Sequence, residues 1–245
     1  MKEEKANNRL CVALDVDGLN EATRIVSLLK DYVGLFKVGL QLFTKEGPKA
    51  VETVNGLGAR VFLDLKFHDI PNTVAGAARE ATRSGAYMFD LHASGGSEMM
   101  RVAVEAAGEE AEKRGIARPI ILAITVLTSI GDEILRKELR VDRSVGGHVV
   151  HLARLAQSSG VSGIVASPKE ILAVRKRCGN DFLILTPGIR PAWSASKDDQ
   201  KRITTPKKAV ELGADFIVVG RPILRAADLV EATKRVLTEI AEGRC

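Results

Sequence analysis

Arg60-Val61-Phe62-Leu63-Asp64-Leu65-Lys66 is the stretch that decides the fold. It opens apolar and ends charged, as a short parallel strand does when both of its faces are packed and its polar chemistry is kept to the carboxyl end. Successive side chains on a strand point to opposite faces. Asp64 and Lys66 therefore share one face, and Leu63 and Leu65 turn the other way, toward covering helices. Seven further short runs, rich in apolar and β-branched residues, lie at 10–15, 35–38, 88–92, 120–126, 163–166, 182–186 and 216–220.

The stretches between these runs read as helices. Ala22, Ile25, Val26 and Leu29 form an apolar stripe at helical spacing. Ser167-Pro168-Lys169-Glu170 is a capping box with proline at the first helical position, and Thr205-Pro206 repeats the capping residue and the proline. Gly115, Gly160, Gly179 and Gly213 stand where helices should stop, each shortly before the next strand. Eight strand–helix units without a hairpin between strands give a parallel sheet, and at 245 residues a closed (β/α)8 TIM barrel is favoured over an open sheet. No GxGxxG follows the first strand, which counts against a dinucleotide fold. No linker or low-complexity segment divides the chain, so residues 1–245 are expected to form one barrel domain. The one long connection, 188–204, is polar and has the length of a lid or binding loop.

Composition narrows the function classes. With 45% apolar and 27% charged residues the chain is ordinary for a soluble protein. The net charge of +5 permits an anionic ligand, but no basic run is interleaved with aromatics, so nucleic acid is not an expected partner. Cys11, Cys178 and Cys245 follow no CxxC spacing, which argues against a disulfide framework or a zinc site. Residues 1–9 lack the apolar stretch of a signal peptide, and no apolar run approaches the roughly 20 residues of a membrane helix, so the expected location is cytoplasmic, with no membrane partner.

In a barrel the chemistry sits at the carboxyl ends of the strands. The first strand ends at Asp15, the second carries Lys37, the third carries Asp64 and Lys66, and Asp69 follows in the loop. A structural ion pair at the rim explains Asp64 and Lys66 alone, but five charges on three neighbouring strands are hard to explain as packing. A lysine flanked by carboxylates is held cationic, which makes it a proton donor and a poor Schiff-base nucleophile. The expected array is therefore centred on Asp64, Lys66 and Asp69.

At the other end of the chain, Gly220 lets an anion approach the backbone and Arg221 can fork onto phosphate oxygens, with Arg190 and Gln200 of the long loop as further donors. Loops after strands seven and eight are the usual phosphate grip of this architecture. Taken alone, Gly220-Arg221 reads equally well as a surface arginine. Thr128 is placed either to hydrogen-bond a flat polar ring or to cap a helix. His148 and His151 sit on a helical pattern at the surface, and His68 and His92 have no carboxylate cluster that would make a metal site. Trp193 either seals the long loop or packs within it.

Asp64-Leu-Lys66-Phe-His-Asp69-Ile70-Pro71-Asn72-Thr73 resembles the DxKxxD signature of the orotidine 5′-phosphate decarboxylases. The resemblance spans nearly the whole chain. Ala13-Leu-Asp15, Phe36-Lys37-Val-Gly, Thr125-Val-Leu-Thr128-Ser, Thr186-Pro-Gly-Ile-Arg190-Pro, Asp199-Gln200 and Val219-Gly-Arg221-Pro-Ile follow the bacterial pattern in order. The stretch between Arg190 and Gln200 is slightly longer than typical and carries Trp193. The resemblance implies a homodimeric (β/α)8 barrel that converts orotidine 5′-monophosphate to uridine 5′-monophosphate, the last step of de novo pyrimidine synthesis, with neither metal nor organic cofactor. It implies that Lys66 protonates C6 as carbon dioxide leaves, with Asp64 near the substrate carboxylate. Lys37 would link Asp64 to the ribose hydroxyls, and Asp15 would also reach the ribose. Asp69 and Thr73, with Ile70 between them, would reach into the partner's site. Thr128 would contact the pyrimidine, and Arg190, Gln200, Gly220 and Arg221 the phosphate.

Magnesium-dependent sugar-phosphate decarboxylases and hexulose-phosphate synthases share DxKxxD. The Ile70–Thr73 continuation and Asp199-Gln200 favour the nucleotide enzyme. A catalytically dead barrel that only binds a phosphorylated metabolite is opposed by the complete set of charged residues.

Overall fold

The computed structural model describes residues 6–194 and 204–243. Strand and helix alternate along them: β1 (Leu10–Ala13), α1 (Leu19–Leu29), β2 (Leu35–Gly39), α2 (Leu40–Glu46), α3 (Lys49–Gly56), β3 (Val61–Phe67) and α4 (Pro71–Arg83). The chain continues through β4 (Met88–His92), α5 (Gly96–Arg114), β5 (Ile120–Ile124), α6 (Asp132–Lys137), α7 (Val145–Ser158), β6 (Gly163–Val165) and α8 (Ile171–Cys178). Then come β7 (Leu183–Thr186), α9 (Pro206–Leu212), β8 (Phe216–Val219), α10 (Arg221–Leu224) and α11 (Leu229–Glu242). All strands pair in parallel, in sequence order, and β1 pairs with β8 to close the barrel. Among the described residues, no helix is long and apolar enough to cross a membrane.

The period-two pattern sorts side chains into two cores. Val12, Phe36, Val38, Leu63, Phe89 and Leu91 face outward and pack with the helices, whose α1 stripe of Ala22, Ile25, Val26 and Leu29 is fully buried as expected. Cys11, Ala13, Leu35, Phe62, Met88, Leu122, Leu185 and Val218 face inward and fill the barrel. The same inward parity carries Lys37, Asp64 and Asp90 up to the carboxyl-end mouth above that plug.

The expected helix ends are present. Thr205 Oγ1 accepts from the Lys208 amide at the start of α9, and Gly213, left-handed at φ 106°, closes it. Ser167 caps a 3-10 turn, Pro168–Glu170, that leads into α8. Four strands stop short of the carboxyl ends read from the sequence, β6 at Val165 and β8 at Val219 each by one residue. β1 stops at Ala13 and β5 at Ile124, each two residues early, although the Leu14 amide still donates to Lys37 O. His148, expected at the surface, is half-buried on α7, stacked with the exposed His151.

Candidate active site

The charged residues at the mouth form a chain of alternating sign. Lys37 Nζ lies 3.2 Å from Asp15 Oδ1 and 3.1 Å from Asp64 Oδ2, and the other Asp64 oxygen holds the Lys66 ammonium. Register creates the space for this. Gly39 on β2 pairs with Asp64 on β3, so no side chain stands between Asp64 and the Lys37 ammonium rising from the layer below.

β3 is distorted where it presents Lys66. Leu63 pairs with Phe89 but Phe67 with Leu91, so β3 uses two more residues than β4 over the same span. Lys66 sits inside this bulge with φ 53°, an uncommon backbone for a side-chain-bearing residue, and its amide donates to Asp90 Oδ1 at 2.8 Å. A bulge of this kind re-aims a side chain, and here the side chain is the ammonium.

The electrostatics favour separated charges. Burial alone would raise the Asp64 carboxyl, but the Lys37 charge, hydrogen bonding with Asp90 and the Lys66 charge together hold it at about 2. Burial pulls Lys37 down, yet Asp64 and Asp15 outweigh it and its ammonium is held above the usual range. Asp90, completely enclosed, is pushed well above the usual carboxylate range by burial and by the Asp64 charge.

Lys37, Asp64 and Lys66 line a cavity of about 200 Å³, with Asp90 below them and Ile124, Val126, Leu127, Thr128 and Pro187 opposite. The lining from the second and third strands is thus charged, and that from the loop after β5 is largely apolar apart from the exposed Thr128. Arg190 and Arg221 line a second cavity of about 320 Å³ with Trp193, Ser194 and Arg225. Arg190 is buried and Arg221 exposed. The ends of the long loop are pinned together by an Ile189–Thr204 bridge and an Arg190 N–H to Thr204 O bond of 3.1 Å. Gly220 packs beside Asp15, with room for a Cβ only 3.6 Å from Asp15 Oδ2. Trp193 packs against the outer core under the Arg235 guanidinium of α11. Gln200, with Asp199, lies outside the described residues.

Asp69 departs from the expected array. The chain turns out of the mouth after Phe67, and Asp69 Oδ1 accepts its neighbour's amide, Ile70 N, at 2.6 Å, just ahead of Pro71 at the start of α4. Asp69, Ile70 and Thr73 are exposed and do not line the cavity of their own chain. Among the described residues, the lysine flanked by two carboxylates is Lys37, while the ion pair of Lys66 is with Asp64. Sequence reasoning missed Asp90, Gly39 and Arg225. For Asp90 the signal was its inward parity with Met88. Among the described residues, no group of three or more His, Cys, Asp or Glu gathers as a ligand set for a metal ion.

Comparison with known proteins gives a consistent result. The family model described as "Orotidine 5'-phosphate decarboxylase / HUMPS family" matches residues 8–236. The orotidine 5′-phosphate decarboxylase of Syntrophomonas wolfei is 53% identical over 239 residues, 97% of this chain and 100% of the relative. That of Heliobacterium modesticaldum is 52% identical, covering 98% of each. The crystal structure of orotidine 5′-phosphate decarboxylase from Lactobacillus acidophilus superposes with a TM-score of 0.83 at 38% identity, over 94% of this chain and 98% of that one.

Proposed function

The chain belongs to the orotidine 5′-phosphate decarboxylase / HUMPS family, and from that premise we propose that it is a carbon–carbon lyase converting orotidine 5′-monophosphate to uridine 5′-monophosphate in pyrimidine synthesis. The observation that carries this reading is the Asp15–Lys37–Asp64–Lys66 chain at the mouth of the barrel. The C6–carboxylate bond breaks, its electron pair stays on C6, and carbon dioxide leaves. A proton from Lys66 Nζ then fills the C6 position, and solvent restores the ammonium. The carbanion has no electron sink in the ring, so the site must lower the barrier by on the order of 20 kcal/mol.

A preorganised ammonium aimed at the developing charge supplies much of that reduction, because it is already oriented before the reaction begins. Asp64 lies beside the substrate carboxylate and Lys37 and Asp15 beside the ribose. Thr128 contacts the pyrimidine. Arg190, Arg221, Gly220 and Gln200 take the phosphate, whose binding energy is remote from the reacting carbon and is used to close the loop over it. The outward turn of Asp69, Ile70 and Thr73, with Ile70 67% exposed, supports a homodimer in which each chain lends these residues to its partner's site.

Hexulose-phosphate synthase and sugar-phosphate decarboxylase chemistry is the alternative within the family. The nucleotide reading is favoured by relatives near half identity, over nearly their whole length, that carry the name orotidine 5′-phosphate decarboxylase. The test is the loss of orotidine monophosphate absorbance in excess EDTA. Turnover that persists supports the proposal. Turnover only of a sugar phosphate, and only with magnesium restored, overturns it.

A further inference from the structure

Asp90 is the charged-type residue most deeply buried at the site, with none of its surface exposed. Its Oδ1 accepts the Lys66 amide at 2.8 Å. Its Oδ2 is sealed from solvent and meets no donor among the described residues, although the carboxyl lies in hydrogen-bonding reach of Asp64. Two bare carboxylates offer each other only acceptors, so such a contact requires a proton on one of them. Asp64 already accepts from two ammoniums and has no reason to carry it. Charge balance agrees: the Lys37 and Lys66 ammoniums are both held by Asp64, Asp15 is exposed to solvent, and a second buried carboxylate beside Asp64 would have no cation of its own among the described residues.

We propose that Asp90 is a positioning residue carried as the neutral acid, whose Oδ1 fixes the left-handed turn at Lys66 while its Oδ2–H donates to Asp64. One side chain then sets both partners of the Asp64–Lys66 pair, the backbone of Lys66 and the carboxylate that orients its ammonium. The charged groups facing it are Asp64 and Lys66, and the upward displacement of its own titration by burial is in keeping with a retained proton. The role assigned to Lys66 rests on the proposed decarboxylation; the protonation of Asp90 does not.

Asp90→Asn is isosteric with the neutral acid, accepting through Oδ1 and donating through Nδ2, whereas Asp90→Leu fills the space and does neither. In infrared difference spectra of the unliganded protein at neutral pH, the band of a protonated carboxyl is expected in the parent and absent from Asp90→Asn. In turnover of orotidine monophosphate, Asp90→Asn is expected to stay within a few-fold of the parent, and Asp90→Leu to lose about 100-fold in kcat with KM little changed, because the ammonium is mis-aimed rather than missing. No protonated-carboxyl band in the parent, or one that persists in Asp90→Asn, overturns the neutral acid. A loss in Asp90→Asn as deep as in Asp90→Leu overturns the positioning role, and if the leucine variant does not fold, a loss of tenfold or more in Asp90→Asn does the same. A parent that does not turn over the nucleotide refutes the proposed function instead and leaves the infrared result standing.

Discussion

The Lys37 ammonium stands 3.1 Å from Asp64 Oδ2, and both side chains are nearly out of solvent, at 13% and 12% exposure. A pair taken this far from water is tolerable only if both members stay charged and bonded, since a lone buried charge is far costlier than the pair. The opposite displacements of the two groups, Asp64 downward and Lys37 upward, express that mutual hold.

A pH dependence follows. Asp64 titrates at about 2 in the fold against 3.8 as a free side chain, so its contribution to stability is complete above about 4 and is lost as pH falls through 2. Lys37, displaced upward, contributes fully below its ordinary 10.5 and loses that contribution only as pH rises through its higher folded value. The pair is therefore silent across neutrality. Melting temperature measured from pH 5 to about 2 should fall more steeply in the parent than in Asp64→Asn. Parallel curves would contradict the assignment.

Gly39 separates activity from stability. A Cβ there would lie 2.7 Å from Lys37 Nζ, so alanine must push the ammonium aside. That ammonium is the free end of a flexible chain, and the fold can absorb its movement, but the hold on Asp64 cannot survive it. Gly39→Ala is expected to lower kcat/KM by about 10- to 100-fold with a melting temperature within a few degrees of the parent. Unchanged kcat/KM would show that Lys37 has other room.

Most of the barrel was legible because parallel strands packed on both faces are short, apolar and evenly spaced, and all eight were found. Strand parity also made the Asp64–Lys66 pair legible, since residues two apart share a face. What parity does not encode is the bulge. A left-handed Lys66 is invisible in sequence, because a lysine at that position predicts nothing about its own backbone, and with the bulge hidden so was the task of Asp90, whose inward parity was readable but whose bond to the Lys66 amide was not. Asp69 was legible as a loop residue, but not the direction in which its loop turns. The DxKxxD spacing reads as one cluster, but the strand ends at Phe67 and the turn into α4 carries the last aspartate outward.

Lys66→Ala tests the proton donor directly. Turnover should fall by at least about 1000-fold, as for loss of a preorganised charge at the reacting atom. Uridine monophosphate should still bind within a few-fold of the parent by calorimetry, because the product has no charge at C6 for the ammonium to answer. Turnover within tenfold of the parent would refute the role.

Arg221 shares a cavity with Arg190, away from the charged wall. If that cavity takes the phosphate, Arg221→Ala should weaken uridine monophosphate by about 100-fold or more, as expected for loss of a charge-assisted fork, and leave the bare nucleoside nearly unaffected. Equal losses for both ligands would place Arg221 elsewhere.

Asp69 gives the sharpest test of a shared site. Among the described residues of its own chain its hydrogen bond is to the neighbouring amide and it faces solvent, so a catalytic role for it calls for a second chain to bring it to Lys66. If it does act in trans, Lys66→Ala and Asp69→Ala homodimers are each nearly inactive, for different reasons. Exchange of subunits produces a heterodimer in which one site carries both defects and the other carries neither. Random pairing makes half of all dimers mixed, each with one intact site of two, so mixing should restore roughly a quarter of parental activity, arriving at the rate of subunit exchange. A cis role predicts no gain at any mixing ratio, because each chain then ruins its own site. Native mass spectrometry of differently tagged subunits verifies that exchange has occurred, and proven heterodimers without recovered turnover would confine Asp69 to its own chain.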